Sequence, residues 1–67
     1  MRITVNDEVR ETDAGNVEKL VLEVLGDVPE AGTAVALNGD VVPRSAWAST
    51  ELADGAIVDV LTAVQGG

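Results

Sequence analysis

One apolar stripe sets what this chain can become. Val17, Leu20, Val21, Val24 and Leu25 fall at i, i+3, i+4, i+7 and i+8, the spacing of a helix that lays one side on an apolar surface. Asn16 in front suits the N-cap, and Gly26 behind suits the left-handed residue that ends a helix. Glu18, Lys19 and Glu23 take the wet side, with Lys19 and Glu23 spaced as an i,i+4 pair. The rest of the patterned sequence has the period of strands. Met1, Ile3 and Val5 alternate with Arg2 and Thr4, as in a half-buried strand. Asn6-Asp7 is turn chemistry, and a polar strand follows around Glu8 to Thr12, with Val9 its one clear apolar contributor. Thr33 to Asn38 reads as a third strand, and Asn38-Gly39 is a strong hairpin signal. Val41-Val42 returns briefly until Pro43, which lacks the N–H a ladder needs. Ser45 to Thr50 forms a short helical turn carrying Trp47, Asp54-Gly55 turns the chain again, and Ala56 to Val64 makes a long last strand.

A lone helix covers one face of one sheet, so the last strand must pair within that sheet. Placing it beside the first strand, as a central parallel pair with a right-handed crossover, gives an α+β fold of the β-grasp, or ubiquitin-like, kind. The expected architecture is a mixed sheet of four to five strands with one main helix packed on one face. Residues 1–64 form the domain and 65–67, Gln65-Gly66-Gly67, a flexible tail.

At 67 residues such a domain buries only about 60% of the surface its unfolded chain exposes, so its core is thin. The chain contains neither cysteine nor histidine. Disulfides, thiolate metal sites and Cys-His or Ser-His-Asp catalysis are thereby excluded within it. Twelve acidic against four basic residues give a net charge of −8, which is unsuited to phosphate contacts and so to nucleic acid. A basic protein groove is a better match. No apolar run approaches the roughly 20 residues a membrane span needs, and no basic n-region leads into an apolar h-region. The expected location is the cytoplasm.

Few groups are left that could carry chemistry. Glu11 and Asp13 could be drawn as an acid–base or metal pair, but at loop positions without a cleft they read as solvated charges. Asn38-Gly39-Asp40 lacks the further ligands of a calcium loop, and no metal site is expected. Trp47 reads as a core or rim plug. Arg44 could pair with a nearby carboxylate or contact a partner.

The chain end is different. At ordinary glycine usage of ~7%, a terminal Gly-Gly arises by chance in roughly one chain in 200, so a frayed tail is one reading. The other is chemical. Gly66-Gly67 can thread a narrow channel in backbone conformations closed to other residues, and it leaves the Gly67 carboxylate sterically open. That is what an ATP-dependent adenylating enzyme requires of a carboxylate it will activate for a sulfur nucleophile. In the strand before it, Asp59 should face solvent, which puts Ile57, Leu61 and Ala63 on the same outer face and Val58, Val60 and Val64 inward. An apolar row on a face that no helix covers suggests a docking site, with Gln65 leading from it to the glycines.

Leu37-Asn-Gly-Asp-Val-Val-Pro-Arg-Ser-Ala-Trp47, Leu52-Ala-Asp-Gly55 and Leu61-Thr-Ala-Val-Gln-Gly-Gly67 together resemble the ThiS family of bacterial sulfur carriers in thiamine biosynthesis. The resemblance spans nearly the whole chain. It implies that Gly67, presented by Gly66, is adenylated by a ThiF-like adenylyltransferase that consumes ATP. A sulfur-donating enzyme, with sulfur ultimately from cysteine, then converts it to a thiocarboxylate, and thiazole synthase receives the sulfur. The chain itself would be no enzyme, would bind no cofactor and would be a monomer when free. Three features depart from the family pattern: Asp7 stands where glycine is common, the segment Gly15-Asn16-Val17 is one residue short, and Leu61 replaces an aromatic. The small subunit of molybdopterin synthase, a ubiquitin-like modifier and a non-covalent interaction module are the alternatives.

Overall fold

A computed structural model describes residues 1–27 and 32–62. Two hairpins flank one helix. Strands β1 (Arg2–Val5) and β2 (Glu8–Glu11) are joined by Asn6 and Asp7, both at positive φ (51° and 67°). Strands β3 (Thr33–Leu37) and β4 (Asp40–Val42) are joined by Asn38 and Gly39 in the same conformation (50° and 90°). Two consecutive left-handed residues make the turn whose twist matches that of the flanking strands. That is why β3 stops at Leu37, one residue before the expected Asn38. A 3₁₀ helix over Arg44–Ser49 and strand β5 (Ile57–Thr62) follow. The sequence placed that short helix one residue later and began the last strand at Ala56, which instead accepts from the Thr4 N–H just before the strand. Val64, assigned to the last strand, lies outside the described residues, as does Pro29.

Helix α1 (Val17–Leu25) is capped at both ends as its sequence dictates. The Asn16 side chain accepts from the Lys19 N–H at 2.8 Å, and Gly26, at φ 79°, donates to the Leu22 carbonyl. Val17, Leu20 and Val21 are fully buried, Val24 is partly so, and Leu25 is 39% exposed. The loop after the 3₁₀ helix is tied to the helix start, Val17 N–H to the Thr50 carbonyl and Leu52 N–H to that of Gly15, each at 3.0 Å.

The sheet order is β2-β1-β5-β3-β4, with β1 and β5 parallel at the centre and the other neighbours antiparallel. This is the expected mixed sheet with one helix on one face. Ile3, Val5, Val35, Val58 and Val60 point at the helix and are buried. Trp47 closes one end of this core, its indole N–H donating to the Val42 carbonyl at 3.0 Å and the Arg44 guanidinium lying 4.9 Å from the ring centroid.

Strand β2 corrects two expectations. Val9 contributes nothing to the core: it lies opposite Thr4 on the far face and is exposed. The helix-facing positions belong to Arg10 and Thr12, and Thr12, just past the strand, is the buried polar side chain among the described residues. Its hydroxyl accepts from the Ala14 N–H and donates to Glu23 at 2.7 Å, while Arg10 reaches the other Glu23 oxygen at 3.2 Å. The Glu23 carboxylate is therefore drawn across to the sheet and does not pair along the helix with Lys19. A buried hydroxyl needs a partner more than an exposed lysine does.

Candidate docking face at the last strand

Strand parity divides the sheet. On β5 the residues Ile57, Asp59 and Leu61 turn away from the helix. Register extends that row sideways: Ile57 stands beside Thr4, and Thr4 beside Val9. Leu61 stands beside Ala34, and Asp59 beside Ala36, which faces Val41. Val9, Val41, Ile57 and Leu61 are 63%, 77%, 52% and 67% exposed. They are four of the six exposed large apolar side chains among the described residues; the other two, Leu22 and Leu25, are on the helix. The small Thr4, Ala34 and Ala36 between them keep the face low, so an incoming surface could reach all four. Single exposed apolar residues are ordinary, whereas a group gathered on one uncovered face is a candidate interaction site.

Charge on this face is sparse and partly cancelled. Arg2 and Glu11 pair at 3.0 Å across β1 and β2, and Asp59 is half-buried between its neighbours. Beside Leu61, a shallow open depression is lined by Gly32, Thr33, Ala34, Leu61 and Thr62, next to the point where β5 leaves the described residues.

Of the residues singled out from sequence, Ile57 and Leu61 come together on this face. Ala63, Gln65, Gly66 and Gly67 lie outside the described residues. Sequence reasoning placed the row along β5 but missed its width. The available signal for Val9 was that a strand with Arg at one parity and Val at the other can turn its valine outward when the arginine has an acidic partner on the helix side. For Val41 it was that adjacent valines on a strand must face opposite sides.

Two further residues hold β5 itself. Asn6 accepts from the Val60 N–H at 2.8 Å and donates to the Val60 carbonyl at 3.2 Å. Asn38 accepts from the Ile57 N–H at 2.9 Å through its side chain and donates its own N–H to the Ile57 carbonyl at 2.7 Å. Two turn asparagines thus grip the last strand from its two neighbours.

Among the described residues there is no group of three or more metal-ligating side chains and no helix long and apolar enough to cross a membrane. Neither histidine nor cysteine occurs in the chain.

Comparisons with known proteins agree on one family. The chain matches the model of the ThiS family over residues 3–67. It is 36% identical to the sulfur carrier protein ThiS of Escherichia coli strain K12, across the full length of both. A crystal structure of the thiamine biosynthesis protein ThiS from Geobacter metallireducens superposes with a TM-score of 0.73 at 32% identity, covering both chains entirely. A solution NMR structure of a thiamine biosynthesis protein from the same organism gives 0.76 at 37% identity, covering all of this chain and 88% of that one.

Proposed function

This chain belongs to the ThiS family, and from that premise we propose that it carries sulfur as a thiocarboxylate on its own C-terminal Gly67. The observation that carries this reading is that the match runs the length of the chain to Gly67, the end reached from the strand that centres the open apolar face.

The steps require nothing of the domain but presentation. A Gly67 carboxylate oxygen attacks the α-phosphorus of ATP on a ThiF-like adenylyltransferase, and pyrophosphate leaves. A sulfur nucleophile at the sulfide level, supplied by a sulfur-donating enzyme, attacks the carbonyl carbon of the acyl-adenylate, and AMP leaves. The resulting thiocarboxylate is the sulfur source for thiazole synthase, for the thiazole ring of thiamine. Gly66 and Gly67 matter because an adenylate and a sulfur nucleophile must both approach a carbonyl without side chains in the way. Ile57, Leu61 and Ala63 dock the domain, Gln65 lies between that face and the glycines, and the acidic surface steers it toward a basic rim on the partner. The carrier acts in the cytoplasm as a free monomer between encounters, and ATP belongs to the partner's site.

The test is intact mass after incubation with a ThiF-like adenylyltransferase, ATP and a sulfur donor. Conversion of the terminal carboxylate to a thiocarboxylate is expected. A chain lacking Gly67 should fold but accept almost no AMP, because its carboxylate sits up to about 3.5 Å further back. A branched peptide on a target lysine would make the chain a modifier instead, and an unchanged mass would make it a binding module.

A further inference from the structure

Strand β5 carries the proposed tail, yet its support is uneven along its length. On the β3 side, pairing continues to Thr33 and Thr62. On the β1 side, among the described residues, the ladder ends at Val5 and Val58, because the chain turns away at Asn6 with φ 51°. The Asn6 backbone N–H makes the last rung, to the Val58 carbonyl at 3.0 Å. Its side chain then does what a further strand residue would do. Oδ1 accepts from the Val60 N–H at 2.8 Å, and Nδ2 donates to the Val60 carbonyl at 3.2 Å. A primary amide presents the same donor and acceptor as a peptide unit, so it completes one more rung where the backbone cannot. The two partners also fix which end of the amide is oxygen.

We infer that Asn6 is a positioning residue for the transfer chemistry: its side chain splints the tail-proximal half of β5 so that the strand delivers its terminus in one direction. The inference rests on the carrier reading. Without the splint, β5 beyond Val58 is held by β3 alone, as far as Thr62, and a strand paired on one side is freer to twist about that pairing than one held on both. The reacting carboxylate lies seven residues past Val60, so freedom at Val60 widens the range of positions from which the tail sets out, and a misplacement of 1 Å in a reacting group can cost on the order of a hundredfold in rate.

Asn38 supplies a matched control. It is also an asparagine at positive φ in a two-residue turn, and its side chain also bonds β5, but at Ile57, the end away from the tail. Glycine adopts φ near +50° without strain, so Asn6→Gly and Asn38→Gly each remove a side chain and leave the turn intact. With a ThiF-like adenylyltransferase and ATP, Asn6→Gly should lower kcat for acyl-adenylate formation about tenfold, with KM changing less than about twofold. Asn38→Gly should leave kcat within about twofold of wild type. In hydrogen exchange, the Val60 amide of Asn6→Gly should exchange about tenfold faster, while that of Leu20 in the helix is unchanged. Wild-type kcat in Asn6→Gly, or equal losses in both variants, would overturn the inference while leaving the carrier reading intact. Failure of the wild-type chain to be adenylated would remove the carrier reading and this inference with it.

Discussion

The two faces of the sheet are made by alternate residues of the same five strands, and they have been put to opposite uses. Toward the helix, Ile3, Val5, Val35, Val58 and Val60 are at most 5% exposed; away from it, Val9, Val41, Ile57 and Leu61 are at least 52% exposed. The side chains are of one kind on both faces, aliphatic and mostly β-branched, so residue type does not distinguish them. What distinguishes them is that the described residues include one α-helix, and one helix covers one face. The inner face is the core and the outer face is left uncovered. Substitutions on the two faces should therefore separate cleanly between folding and partner chemistry.

The largest separation should come from the centre of the inner face. Leu20 is fully buried beneath the sheet, and Leu20→Ala should cost about 2–5 kcal/mol. A domain of this length has about 3–10 kcal/mol in total, so a substantial fraction would unfold. Urea denaturation should show a lower midpoint with an unchanged slope, and the adenylation KM of the folded fraction should stay at wild type. A raised KM in that fraction would mean that the faces are coupled.

Leu61→Ala should do the reverse. With the side chain two-thirds in water, the loss of stability should stay under about 1 kcal/mol. The KM for adenylation should rise about tenfold if Leu61 is a central contact. A stability loss of core size with normal adenylation would mean that the outer face is structural.

Why some of this was legible in the sequence and some was not follows from the range of the forces involved. The helix was plain because its stripe and both caps, Asn16 and Gly26, act within a few residues. The parity of β5 was plain because Asp59 anchors it locally. Val9 was misjudged because its orientation depends on Arg10, and Arg10 faces inward only because Glu23, thirteen residues on, comes down from the helix to meet it. The grip of Asn6 on Val60 spans 54 positions; a turn asparagine announces a turn and says nothing of what its amide will reach. The terminal glycines announced themselves by composition and by family resemblance, with no geometry required.

The smallest effect tests how far the outer face extends. Val9 is on β2, two strands from β5, and joins Ile57 only through Thr4. Val9→Thr nearly conserves shape, and threonine is as well suited to a strand as valine. Because the side chain is exposed, stability should shift by less than about 0.5 kcal/mol. The substitution replaces an apolar methyl with a hydroxyl, which a partner surface would have to desolvate. If the partner covers the whole sheet, KM should rise by about two- to threefold, a rim effect well below that of Leu61→Ala. An unchanged KM would confine docking to β5, β3 and β4, and Val9 would then be outward only because Arg10 and Thr12 occupy the inner positions of its strand. A rise as large as that for Leu61→Ala would move the centre of the interface toward β1 and β2. In that case Asn6, in the turn between those strands, would itself lie near the contact, and the kcat and KM of Asn6→Gly would no longer be expected to separate.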